Sequence, residues 1–172
     1  MTNSLHRLAK SRQLRAFLWW ALTVAWAALI FYLSTGQFGS RFSISLLSEI
    51  LAFLHLHISL PAFLSLHFCL RNLAHLTEYA ILSALLYGCL DDDRPIKWSG
   101  RTALWCVVIA GIYSLSDEFH QVFVPGRTAS LVDCGIDTTG ASFGMLVVYG
   151  NGRFFQAKSK RPAGAKETAA EE

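Results

Sequence analysis

Charge is what this chain has least of: Asp, Glu, Lys and Arg make up 16% of its 172 residues, against roughly 25% in an ordinary soluble chain. A water-facing surface is hard to build from so few charges. With 53% hydrophobic residues, the composition excludes a soluble globule and a disordered chain. The basic residues form no dense stripe, which excludes a dedicated nucleic-acid binder, and the net charge of +3 comes from tails and loops. Cysteine is scarce as well. Cys69, Cys89, Cys106 and Cys134 show neither CxxC spacing nor flanking His pairs, which argues against a structural zinc site and for free thiols. Also missing are a nucleophile elbow, an HExxH helix and a Gly-rich phosphate loop.

What the chain does have is long apolar runs. Residues 16–34 carry no charge, close to the roughly 20 residues that span a hydrocarbon core about 30 Å thick. Arg7, Lys10, Arg12 and Arg15 precede this run, and Ala25-Trp26-Ala27 resembles a signal-peptide cleavage site. The run continues to Leu33 and further spans follow, so it reads as an uncleaved anchor. Further runs cover about 73–90, 102–124 and 131–149. The expected fold class is all-α: a polytopic membrane protein with four transmembrane helices. It divides into a basic N-terminus at 1–15, a transmembrane domain at 16–150 and a solvated, disordered tail at 151–172.

The segment 42–70 is less simple. Ser45, Ser48, Glu49, Ala52, His55 and Ser59 recur at steps of three and four, while Ile44, Leu47, Leu51, Leu54 and Ile58 line the opposite face. That pattern predicts an interfacial or re-entrant helix between the first and second spans, broken at Pro61. With four spans, the N-terminus, the middle loop and the tail share one side and hold twelve basic residues. The other side holds Arg41, Arg71 and Arg127. Twelve against three predicts that both termini are cytoplasmic. Of the cysteines, only Cys69 and Cys134 then share the outer side, where a disulfide would be feasible.

Polar groups inside the later spans cost about 2.5–3.5 kcal/mol each on insertion scales, so each calls for a reason. The predicted topology delivers them to one depth beneath the outer face. His75 and Glu78 fall in the second span, Asp117, Glu118, His120 and Gln121 at the end of the third, and Asp133 and Asp137 at the start of the fourth. Helical steps of three and four put His75 with Glu78, Asp117 with His120 and Gln121, and Asp133 with Asp137. One pocket capped by Arg127 could gather them, with Glu118 rotated toward another neighbour and Asp133 also suited to capping its helix. Five carboxylates face two arginines and two histidines, so either some carboxyls hold their protons or water or a cation enters.

These residues also carry a resemblance. Asn72 through Tyr79 (with His75 and Glu78), Ser116-Asp117-Glu118-Phe119-His120-Gln121, Phe123-Val124-Pro125-Gly126-Arg127, and Asp133 followed by Gly140 and Gly144 resemble the signature of the VanZ-like family. The resemblance covers roughly residues 17–149. It implies a bacterial inner-membrane protein of a family whose founding member is associated with low-level teicoplanin resistance. One departure stands out: where the family often has Asn, this chain has Asp137.

Three functional classes follow. The first is an outward-facing pocket that binds or acts on an envelope molecule, such as a lipid-linked or glycan precursor, with Glu118, Gln121, Arg127, Asp133 and Asp137 as ligand-binding residues. The second is an intramembrane hydrolase or transferase, with Glu78 or Asp117 as general base and His75 or His120 as acid/base. A divalent cation is compatible with it: the carboxylates suit Mg²⁺ or Mn²⁺, and the histidines leave zinc open. The third is a proton- or ion-coupled transporter, disfavoured because the cytoplasmic half of each span is dry.

Overall fold

The computed structural model describes residues 2–90, 98–125, 127 and 129–159. Five α-helices and one 3-10 turn follow in chain order: α1 (Thr2–Leu33), the turn Gly36–Phe38, α2 (Ser40–Phe53), α3 (Leu60–Leu90), α4 (Gly100–Gln121) and α5 (Leu131–Ser159). Among the described residues there is no strand. Four of the helices are long and apolar enough to cross a membrane: Arg12–Leu33, Leu60–Leu90, Gly100–Gln121 and Leu131–Gly152. Their outer faces expose large side chains throughout, among them Phe17, Leu104, Ile112 and Leu146. A soluble monomer does not tolerate so much exposed apolar surface, whereas a bilayer demands it.

α3 is the centre of the bundle, and its closest neighbour is α5. The reason is the pair of glycines on α5. A Cβ at Gly140 would lie 2.3 Å from the Leu76 carbonyl oxygen, and one at Gly144 would lie 2.3 Å from that of Ala80. Only hydrogen at those positions lets the two backbones meet, which is how helices gain dispersion contacts where water supplies no hydrophobic drive. Ser83 locks the contact by donating to the Ala141 carbonyl at 2.9 Å. Around it pack Tyr79, Leu82, Leu86, Ala103, Cys106, Ala110 and Met145. α1 joins through Trp26, whose ring nitrogen donates to the Glu78 carbonyl at 2.9 Å, and through Ala27, whose carbonyl accepts from Tyr113 at 2.6 Å.

The two ends of the bundle differ chemically. At one end Tyr87 stacks on Trp98 at 5.5 Å, and Tyr149 meets Trp98 edge-on at 5.1 Å. At the other, Arg71 of α3 pairs with Asp133 of α5 at 2.7 Å. From Arg71 to Tyr87 the helix climbs about 24 Å, so aromatic and charged rungs bracket most of a hydrocarbon core about 30 Å thick.

The segment 42–70 holds the helix expected between the first and second spans, α2, but its boundaries differ from the sequence expectation. α2 ends at Phe53, the chain turns through 54–59 with His55 at φ 54°, and Pro61 begins the next helix instead of ending one. The missing N–H of proline costs nothing in a first turn, so the residue read as a breaker acts as a start. The second crossing helix therefore begins at Leu60, not near Leu73, and its 31 residues reach about 46 Å. Because Arg71 lies level with Asp133, roughly 15 Å of α3 extends past the start of α5. α2 leans on this extension, with Ser43 and His67 hydrogen-bonded at 2.8 Å. At the far end, α5 continues through 151–159, which the sequence reading assigned to the tail; 160–172 lie outside the described residues. None of the four cysteines forms a disulfide.

Candidate functional site

The polar side chains of three helices converge at the end of the bundle marked by Arg71. Asp117, Glu118, Gln121 and Asp137 are buried there. Each of the three carboxylates among them is held by short-range donors, as a charge in poor solvent must be. Ser34, the residue after α1, donates to Asp117 Oδ2, and Gln121 Nε2 donates to the same oxygen at 3.1 Å and to Glu118 Oε1 at 3.3 Å. Glu118 Oε2 accepts the Ser130 backbone N–H at 2.7 Å, which orients the start of α5. Ser114 donates to Asp137 Oδ2 at 2.6 Å, while His75 Nδ1 lies 3.1 Å from Asp137 Oδ1. An ionised carboxylate only accepts, so Nδ1 is the donor, and in the neutral ring Nε2 holds the lone pair.

The arginines serve different ends. Arg71 joins α3 to α5 through Asp133 and reaches Ser40 of α2 at 3.4 Å. Arg127 donates from Nη2 to the carbonyls of Leu33 (2.6 Å) and Thr35 (3.1 Å), and from Nε to Thr35 (3.3 Å). It thereby caps the C-terminus of α1, where carbonyls lack partners and a cation suits the helix dipole. Burial pushes its pKa below the ordinary guanidinium value, and nearby Arg71 acts in the same direction.

Most of the residues singled out in the sequence do meet here, in altered pairings. Asp133 binds Arg71 and leaves the capping of α5 to Ser130, whose hydroxyl accepts the Asp133 N–H at 3.3 Å. His120 turns away from the cluster: its ring lies 4.5 Å from that of Phe31, and its Nδ1 is buried without a hydrogen-bond partner. Among the described residues no three metal-ligating side chains lie close enough together to hold a metal ion. Ser34, Ser114 and Ser130 were not anticipated. Ser114 precedes Asp117 by one helical step of three, the single signal that pointed to it. His67 ties α3 to α2 through Ser43.

A cavity of about 320 Å³ opens between the polar cluster and α2. Its lining combines Arg71, His75, Glu78, Gln121 and Arg127 with Phe42, Leu46, Leu47, Ile50 and Leu70, and Ser40, Ser43 and His67 add further polar groups. α2 faces the cavity with Ser43, Leu46, Leu47 and Ile50, so of the apolar face read in the sequence only Leu47 lines it.

The sequence profile of the VanZ/LLP1 family matches residues 19–155, which include every side chain of this cluster. The chain belongs to that family. No curated protein and no solved structure gave a match. In this VanZ-family chain Asp137 is the residue that holds the His75 ring.

Proposed function

We propose that this VanZ-family membrane protein binds an amphiphilic molecule of the bacterial cell envelope at the cavity beneath α2. The observation that carries this reading is one cavity lined both by aliphatic side chains and by charged, hydrogen-bonding ones. Leu46, Leu47, Ile50 and Leu70 fit an acyl or prenyl chain, and Arg127, Glu78 and His75 fit a polar headgroup. The excess of basic residues at the opposite end and in the tails favours the inner membrane, with both termini cytoplasmic and the cavity at the external leaflet. An effect on glycopeptide susceptibility follows if the occupant is a precursor that such drugs engage.

The test is occupancy. The full-length protein, purified in mild detergent and examined by native mass spectrometry, retains an envelope amphiphile, whereas Leu47→Trp, which fills the apolar part, loses it. Equal retention by both would overturn the reading.

His75 supports a second one. Its Nδ1 is held by buried Asp137, and its Nε2, without a hydrogen-bond partner among the described residues, belongs to a side chain on the cavity wall. That arrangement suits a general base acting on water or on a ligand hydroxyl, and so a hydrolase or transferase. Product formation from lipid-linked phosphates that stops with His75→Ala would establish it. Ion transport is the least supported, because the buried core beyond Asp137 consists largely of residues such as Ala110, Cys106, Ala141 and Met145.

A further inference from the structure

Glu78 differs from the other four carboxylates of the cluster. Asp117, Glu118, Asp133 and Asp137 each accept at least one hydrogen bond, from Ser34, Ser130, Arg71 and Ser114 respectively. The Glu78 carboxylate has no hydrogen-bond partner among the described residues, and its side chain lines the cavity. Gln121, on the same wall and 1% exposed, has its Oε1 unpartnered among the described residues as well, so this wall holds two acceptor groups without a donor.

Arg127 presents the opposite sign. Its Nε and Nη2 are spent on carbonyls, Nη1 makes no hydrogen bond among the described residues, and no described carboxylate lies within ion-pair distance. Arg71, by contrast, is already neutralised by Asp133. Among the described residues the polar end of the cavity therefore keeps one carboxylate without a hydrogen-bond donor and one guanidinium without a carboxylate at ion-pair distance.

A ligand that satisfies both must carry both signs. An anionic headgroup alone would set its phosphate against the Glu78 carboxylate in poorly solvated surroundings, and an uncharged sugar would offer neither group a counter-charge. Building on the amphiphile reading, we infer that the cavity selects a zwitterionic aminoalkyl-phosphate headgroup, its ammonium on Glu78 and its phosphate on Arg127. The ammonium supplies three N–H donors, enough for the Glu78 carboxylate and a neighbouring acceptor. The guanidinium offers the phosphate a charge-assisted hydrogen bond.

The experiment is a titration of the purified full-length protein by native mass spectrometry. The probes are phosphatidylethanolamine and phosphatidylglycerol with identical acyl chains. The wild type prefers the former by roughly tenfold, the worth of one charge-assisted contact. Glu78→Gln erases that preference by weakening phosphatidylethanolamine and leaves phosphatidylglycerol unchanged or tighter. The substitution removes no hydrogen bond of the free protein, and an unchanged melting temperature verifies that the fold survives. Free phosphoethanolamine at equal concentration does not displace the lipid, since it lacks the chain that fills the apolar wall.

Equal binding of the two lipids by the wild type, or equal weakening of both by Glu78→Gln, would overturn the headgroup assignment and leave the amphiphile reading standing. Displacement by free phosphoethanolamine would overturn the lipid as its source. If Leu47→Trp left both lipids bound as before, the cavity itself would be the wrong place and both readings would fall.

Discussion

His75 and Asp137 meet across the α3–α5 contact, Nδ1 to Oδ1 at 3.1 Å, directly beside the place where glycine lets the two helices touch. The carboxylate is 2% exposed and also holds Ser114, so three elements of the site depend on one side chain. Asp137→Ala should leave the imidazole and the serine hydroxyl unpaired and cost about 3 kcal/mol. Asp137→Asn, which keeps shape and one acceptor, should cost less than half of that. Thermal or denaturant unfolding in detergent reads both, and equal stability of wild type and Asp137→Ala would contradict the pairing.

The glycines make a sharper contrast. Gly140→Ala and Gly144→Ala each place a methyl against an α3 carbonyl and should destabilise the bundle by about 1–3 kcal/mol. Gly135→Ala, on the same helix with nothing within 4 Å of its Cβ, should be neutral or slightly stabilising. Unfolding measured for all three variants in the same detergent checks the order.

Arg127→Lys retains the charge and loses the planar fork that spans the carbonyls of Leu33 and Thr35. The expected result is faster amide hydrogen exchange across the end of α1 and the turn Gly36–Phe38, with a loss of about 1 kcal/mol. Exchange unchanged in that segment would mean that the cap contributes nothing.

Orientation is testable with native cysteines. Cys69 is exposed near the charged rung, and Cys106 is buried. A membrane-impermeant maleimide added to intact cells should label Cys69 and spare Cys106, provided the charged rung faces outward. Labelling of Cys69 only after permeabilisation would reverse the topology.

Much of this site was legible in the sequence because helical spacing is a local property. His75 with Glu78, and Asp117 with Gln121, follow from steps of three and four alone, and the convergence of three spans follows from counting crossings. The partners were harder to see. Arg127 ends on backbone carbonyls, which every residue possesses and no pattern marks. Ser34, Ser114 and Ser130 carry hydroxyls too common in apolar helices to stand out. His120 sits one helical step from Asp117, yet the packing of α1 decides its direction through Phe31. Pro61 misled for a positional reason, since the same ring ends a helix from within and begins one from its first turn.

The overhang of α3 sets how any occupant arrives. A rod of about 46 Å in a hydrocarbon layer about 30 Å deep leaves a third of its length among the headgroups, and the cavity, lined by α3 from His67 to Glu78, lies at the foot of that portion. If the cavity holds the amphiphile proposed above, that molecule can enter sideways from the leaflet without crossing water. Supply is then governed by abundance per unit area of membrane, and a chain of negligible aqueous solubility is no handicap.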